Sequence, residues 1–274
     1  MWLASIDGAV APVGDTLIPV SDDGFLRGDG GFEVLRVYGG RPFAIEDHFG
    51  RLARTCAGLR LEADLDALRA EALALVAQAG EPESLLRLVV TRGGRRIAIA
   101  EPLPARPPVA RVVTVTYVPT RVLNGLKTLS YAANMLAGRL AKEQGGDEAL
   151  FVNPHGRVLE GPTWTFFWVS AGRLQTPPLS DGILDSITRR RLVEECEVTE
   201  AVCTLDDVRA AEEAFIASSV REVMPIAAVD DIELPAAPGP VTDAAHAAFK
   251  QRVARELATE AGDVTASPAR ATTV

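Results

Sequence analysis

The sequence predicts a two-domain α/β protein in which each domain is of the α+β kind. Three observations lead there. The chain has 274 residues, 47% hydrophobic and 24% charged, enough to bury one large core or two modest ones. Its first part joins short β-rich runs, punctuated by Gly and Pro, to two stretches of helical periodicity. Beyond Leu126 the pattern changes and strands and helices start afresh, which implies a second unit.

In order along the chain, 5–11, 16–20 and 32–38 read as strands of an antiparallel sheet, the last ending at the Gly39-Gly40 turn. The stretch 48–59 carries Phe49, Leu52, Cys56 and Leu59 at helical spacing, and 65–79 repeats Leu68, Ala72, Leu75 and Val76 on one face. Two helices therefore cover one side of that sheet. The β-rich runs 85–91 and 111–117 are separated by TRGGRR and a Pro-rich stretch, 102–108. The first domain is expected to span 1–117, a linker 118–125, and the second domain 126–261. Within the second, 131–144 is a helix stopped by Gly145-Gly146, and 149–152 turns through Asn153-Pro-His-Gly156 into Val158-Leu159. The run 166–169 turns through Ala171-Gly172 into Leu174-Gln175, and 186–197 is a further helix. The tail 262–274, rich in Ala, Thr, Ser and Pro without periodicity, is expected to be disordered.

Lys+Arg 28 against Asp+Glu 37 gives a net charge of -9, which argues against a nucleic-acid partner because binders of a phosphate backbone show basic surfaces. Any anion site must be local. No run approaches the roughly 18 apolar residues of a membrane span, and the start MWLASIDGAV lacks a basic and apolar leader. A cytoplasmic protein without membrane attachment is expected. Cys56, Cys196 and Cys203 show no CxxC spacing and read as reduced thiols, and the three histidines, unpaired at ligand spacing, give no metal site.

Two glycine motifs mislead. Gly28-Asp-Gly30-Gly31 lacks the third spaced glycine of a dinucleotide fingerprint, and Gly125-Leu-Lys127-Thr128 lacks the glycine-rich run of a P-loop. Lys127 itself lies among Leu126, Leu129 and Tyr131, a setting that desolvates an ammonium and lowers its pKa. Alone, such a lysine is more often a solvated surface charge. Glu160 in Leu-Glu-Gly reads first as turn chemistry, and Arg51 as a solvated helix arginine. Asp185-Ser-Ile-Thr188 is a helix N-terminus whose amides and dipole also suit a phosphate dianion. Arg87 sits in an apolar β-run, where an unpaired guanidinium is costly, so an anion must meet it: an internal Asp or Glu, or a substrate carboxylate.

Taken together, GDGGFEVLRVY (28–38), HFGRL (48–52), LRLVVTRG (86–93), LKTLSYAANMLAGRLAKEQGGDEALFV (126–152), VLEGPTWTFFWV (158–169), TPPLSDGILDSITRRRL (176–192) and SSVREVMP (218–225) resemble the class IV, or fold type IV, aminotransferase family. That family includes D-amino-acid transaminases, branched-chain aminotransferases and aminodeoxychorismate lyases. The resemblance covers roughly residues 4–230. It implies a two-domain fold type IV enzyme with pyridoxal 5'-phosphate at the domain interface, acting as a homodimer. Lys127 becomes the catalytic lysine that joins the cofactor as an imine, and Glu160 the carboxylate facing the pyridine nitrogen. Leu184 lies against the ring. The amides of Ile187 and Thr188, with Arg51 and Ser219, bind the phosphate.

The resemblance also implies amino acid and 2-oxo acid substrates, and its departures bear on which ones. Phe32 stands where the best-known D-amino-acid transaminases place a tyrosine of their carboxylate trap, and the loop after Arg92 has no histidine. Arg27 falls where some relatives carry an aromatic residue and is placed to reach a neighbouring subunit's site. Arg27 and Arg87, beside Phe32, are thus the expected substrate-binding residues, with Arg92, Arg95 and Arg96 as further loop candidates. Trp164, within Pro162-Thr163-Trp164-Thr165, narrows the surroundings of the cofactor. The expected reaction is transamination between an amino acid, D before L, and 2-oxoglutarate. The alternatives are an aminodeoxychorismate lyase, a branched-chain L-amino-acid aminotransferase, and a noncatalytic protein that binds the cofactor.

Overall fold

The computed structural model describes residues 2–266. The first sheet is antiparallel and holds β1 (Leu3–Ile6), β2 (Ala9–Pro12), β3 (Gly30–Tyr38), β4 (Arg41–Pro42), β5 (Glu83–Thr91) and β6 (Arg96–Glu101) in the order β2-β1-β6-β5-β3-β4. A short helix, α1 (Asp23–Arg27), precedes β3, while α2 (Ile45–Leu59) and α3 (Leu65–Ala79) cover one face. Strand alternation decides what each face does. Leu35 and Val37 of β3 join Phe49, Leu52, Leu68 and Leu75 in a core beneath the helices, whereas Phe32 and Val34 turn to the opposite face with Val89, Ile97 and Tyr131.

The second sheet is mixed. Its strands are β7 (Ala110–Thr116), β8 (Glu148–Val152), β9 (Arg157–Val158), β10 (Thr165–Ser170), β11 (Arg173–Thr176), β12 (Val198–Glu200), β13 (Cys203–Thr204), β14 (Glu213–Ser218), β15 (Glu222–Val229) and β16 (Ile232–Glu233). They run in the order β12-β11-β10-β14-β15-β7-β8-β9-β13, with β16 on β15. Helices α4 (Ala132–Glu143), α5 (Ile187–Glu195), α6 (Leu205–Arg209) and α7 (Pro240–Ala266) complete this part. One core holds Trp164, Phe166, Trp168, Ile216 and Ile226, and another packs Phe167, Phe215 and Ile187 against Phe249 of α7.

Several elements differ from the sequence reading. The run 5–11 is a hairpin, broken where Asp7 and Gly8 both take positive φ, the requirement of a tight two-residue turn. The stretch 16–20 is irregular and exposes Leu17 and Val20; Pro19 removes a donor that a ladder would need. β6 lies between the basic loop and the Pro-rich stretch and takes in only Arg96 of TRGGRR. β7, expected to close the first domain, pairs instead with β8 and β15 of the second sheet. The crossover between the sheets therefore falls in 102–109, not 118–125, because a strand belongs to the ladder that satisfies its amides. Of the expected tail, 262–266 continue α7 and 267–274 lie outside the described residues. Among the described residues, no helix is long and apolar enough to cross a membrane.

Candidate active site

The two sheets leave between them a cavity of about 590 Å³, lined from the first sheet by Phe32, Val34, Leu85 and Arg87 and, from segments flanking strands of the second, by Glu160, Trp164 and Ser219. That volume lies within the range of small-ligand and cofactor sites. The segment bearing Lys127 is laid directly on β3: the Phe32 amide donates to the Lys127 carbonyl at 3.0 Å, and the Leu129 amide to the Gly30 carbonyl at 2.8 Å. The glycines make this approach possible. A Cβ on Gly30 would stand 2.4 Å from the Val90 carbonyl oxygen and 2.6 Å from Leu129, and one on Gly31 would stand 2.8 Å from Thr55. The glycine motif that resembles a nucleotide loop thus serves close backbone packing.

Lys127 anchors its own amide on the Thr55 hydroxyl at 3.2 Å, and its ammonium stands 4.4 Å from the centre of the Phe32 ring. The side chain borders the cavity, so it is only half-buried by area, yet it lies deep. Desolvation pushes its pKa down to about 8, helped by the Arg51 and Arg87 charges and opposed by Glu33 and Glu160. Glu160 ends the hairpin of β8 and β9, and its Oε1 accepts from the Leu184 amide at 3.1 Å. Burial pushes this carboxyl up to about 7 against the pull of that hydrogen bond and of Lys127. A carboxyl so placed gains from any cation brought beside it.

Arg51 is held from behind. The register of β3 points Glu33 to the helix side, where its two oxygens accept from Arg51 Nε and Nη2, each at 2.7 Å. His48 Nδ1 meets the same carboxylate at 2.8 Å. Burial alone would raise Glu33, but Arg51 and His48 override it and hold the carboxyl near 2. The remaining guanidinium nitrogen, Nη1, donates to the Asp185 carbonyl at 3.0 Å, tying α2 to the entrance of α5. Ser186 caps α5 by accepting from the Arg189 amide at 3.3 Å. Ile187 and Thr188 fall in the first helical turn, where amides have no intrahelical acceptor.

The cavity therefore gathers Phe32, Arg51, Arg87, Lys127, Glu160, Leu184 and Ser219. The side chains of Ile187 and Thr188 are buried outside its wall, consistent with a role limited to their amides. Arg27 is not in it: its side chain is 69% exposed and paired with Asp23 one turn back. Arg87 faces the cavity because it stands opposite Val34 in the ladder, but its anionic partner is internal, Glu101 accepting from Nε at 2.5 Å and from Nη2 at 2.9 Å. The loop arginines are also committed internally, Arg92 to Asp29, Arg95 to Asp7 and Arg96 to Glu71. None of the three lines the cavity. Sequence reasoning missed Glu33, His48 and the cavity-lining Arg106 and Arg221, and named Tyr131, which also lines the cavity, only as a neighbour of Lys127. For Glu33 a signal existed, since it alternates in phase with Leu35 and Val37 and a carboxylate among apolar positions calls for a cation.

These residues fit pyridoxal phosphate. A guanidinium, a hydroxyl and a helix N-terminus suit a phosphate, a desolvated lysine suits an aldehyde, and an opposing buried carboxyl suits a ring nitrogen.

Residues 30–229 match the amino-transferase class IV family. A provisionally named branched-chain-amino-acid aminotransferase of Methanocaldococcus jannaschii is 32% identical, over 82% of this chain and 87% of its own length. D-alanine aminotransferase of Bacillus licheniformis is 27% identical over 92% of this chain and 97% of its own. The solved structure of a fold IV transaminase from Curtobacterium pusillum superposes with a TM-score of 0.81 at 31% identity, covering 91% of this chain and 99% of that one. The chain belongs to the class IV aminotransferase family, and its two-sheet fold is that of fold type IV.

Proposed function

We propose that this class IV aminotransferase uses pyridoxal phosphate to exchange the amino group of an amino acid, D before L, with the oxygen of a 2-oxo acid such as 2-oxoglutarate. The observation that carries the reading is that Lys127 and Glu160 line one cavity, where burial pushes the lysine down to about 8 and the carboxyl up to about 7. When bound, the cofactor supplies an aldehyde that condenses with amines and a ring that withdraws their electrons. Lys127, partly neutral, carries the aldehyde and moves the proton at the substrate Cα. Glu160 would keep the pyridine nitrogen protonated, Leu184 would lie against the ring, and Arg51, Ser219 and the amides of Ile187 and Thr188 would hold the phosphate. Arg51→Ala is expected to weaken cofactor retention by ~1 to 3 kcal/mol, measured by equilibrium dialysis. Unchanged retention would remove Arg51 from the phosphate site.

Arg87 supports the substrate assignment: it lines the cavity, and its Nη1 makes no hydrogen bond among the described residues, leaving a donor for an α-carboxylate. The likeness to D-alanine aminotransferase supports the D preference. A cytoplasmic homodimer completes the reading, and Arg27 reaches the neighbouring site. Beside Arg27, Phe25 is 62% and Leu26 54% exposed, an apolar pair that a second copy would cover. Phe25→Asp is expected to shift the protein to monomer in analytical ultracentrifugation; an unaltered dimer would place the interface elsewhere. The reading as a whole is tested on a panel of D- and L-amino acids with 2-oxoglutarate, plus aminodeoxychorismate without acceptor. Faster turnover of L-amino acids would overturn the stereochemical assignment, and pyruvate release from aminodeoxychorismate would make the enzyme a lyase.

A further inference from the structure

Two more arginines, Arg106 and Arg221, line the cavity. Arg221, in the hairpin between β14 and β15, has a side chain only 6% exposed. Its Nε donates to Glu148 Oε1 at 2.9 Å, its Nη2 donates to the same oxygen, and its Nη1 donates to the Thr163 hydroxyl at 3.0 Å. Its backbone amide is fixed on the Ser218 hydroxyl at 3.0 Å. Arg106, from the crossover between the sheets, donates through Nη1 to the same Glu148 oxygen at 3.2 Å. Both arginines line the cavity, whereas Glu148 stands outside its wall. One carboxylate behind two guanidiniums leaves a positive charge facing inward.

We infer that Arg106 and Arg221 form an acid-binding end of the cavity that receives the distal carboxylate of a dicarboxylic substrate. The inference rests on the transaminase reading above and deepens it. The charges that line the cavity are Arg51, Arg87, Arg106, Lys127, Arg221, Glu101 and Glu160; Glu33 behind the wall offsets Arg51, and a single Glu148 serves both Arg106 and Arg221, so the uncompensated cation lies at that pair. Two of those cations already have work, Lys127 with the aldehyde and Arg51 with the phosphate, and Arg87 is offset by Glu101. Arg106 and Arg221 share one carboxylate, Glu148, so one of their two charges is the surplus. Burial lowers the pKa of Arg106, and the neighbouring Arg221 charge lowers it further, a repulsion that a second carboxylate would relieve. Arg221 is held rigid by Glu148 and Thr163, so little order remains to be gained on binding. Among the described residues only Nη1 of Arg106 is engaged, so its other nitrogens are free to grip a carboxylate in the two-pronged manner of guanidinium.

The test compares 2-oxoglutarate with 2-oxopentanoate, which has the same chain length without the distal acid, on the holoenzyme. In Arg106→Gln and in Arg221→Gln, the ratio of kcat/KM for 2-oxoglutarate to that for 2-oxopentanoate is expected to fall about tenfold or more, the usual worth of a lost charged hydrogen bond. Glu148→Gln, which releases both guanidiniums, is expected to raise the ratio. Calorimetric titration with glutarate and with butyrate reads the same subsite without turnover: the parent binds glutarate more tightly, and Arg106→Gln loses that preference. Should Arg221→Gln not fold, Arg106→Gln decides, because Arg106 lies on an exposed crossover and leaves the contacts of Arg221 in place. An unchanged ratio and an unchanged glutarate preference in Arg106→Gln overturn the subsite even if transamination proceeds. Loss of the glutarate preference in a protein that transaminates nothing would uphold the subsite and sink the transaminase reading.

Discussion

Lys127→Ala is expected to lower kcat/KM by about 10²- to 10⁴-fold, the range for removal of a positioned proton-transfer group, and to abolish covalent capture of the cofactor by borohydride. The physical basis lies in the position of the amine. A lysine at its ordinary value is neutral in only about three molecules in ten thousand at pH 7. Desolvated to about 8, it is neutral in roughly one in ten, which makes it available for imine formation and as a base. The variant should fold. The unfolded chain binds more protons than the native one between pH 8 and 10.5, so the buried ammonium costs stability in full below pH 8 and progressively less above it. Cofactor-free Lys127→Ala is therefore expected to match or exceed the parent in thermal midpoint at pH 7, with the advantage fading toward pH 10. Mass spectrometry of borohydride-treated parent and variant checks the covalent site; label on any other lysine would displace Lys127 from its role.

Much of this architecture is legible because single elements carry strong patterns. Helices α2 and α3 announce themselves through apolar residues at three- and four-residue spacing, and α4 through its glycine stop, so their ends fall within a few residues of expectation. The strands are harder, since an alternating run does not say which ladder it joins. β7 reads as the end of the first domain, but its partners β8 and β15 lie 36 and more residues further on, and only pairing reveals the assignment. The same limit governs the site. That Arg87 needs an anion follows from its apolar strand, but which anion depends on β6 running antiparallel to β5 and bringing Glu101 diagonally across on the same face. Arg106 and Arg221 meet at Glu148 from three separate elements, and no local pattern records such a convergence. Gly30 and Gly31 carry a true signal with a different meaning: the backbone does come close there, though to the Lys127 segment.

Glu160→Gln separates ring chemistry from cofactor binding. Beside the protonated pyridine nitrogen, the carboxylate is expected to keep the ring electron-withdrawing, and an amide cannot hold that proton by charge, so turnover should fall by about 10²- to 10³-fold. Retention of the cofactor should change little, because the phosphate contacts of Arg51, Ser219 and α5 are untouched. The cofactor-free protein should respond in the opposite direction. There burial raises the Glu160 carboxyl to about 7, above its unfolded value, so the native state keeps a proton that the unfolded state has lost between about pH 4.5 and 7. Stability from this group is thus complete below pH 4.5 and is lost as pH rises through 7, where the unpaired carboxylate costs on the order of 1 to 3 kcal/mol. Gln carries no such penalty and still offers an oxygen to the Leu184 amide. Cofactor-free Glu160→Gln is therefore expected to melt above the parent at pH 8 and level with it near pH 4. Calorimetric melting of both proteins across that range provides the measurement. A constant difference would show that Glu160 does not titrate as its burial requires, and full turnover in the variant would separate it from the pyridine nitrogen.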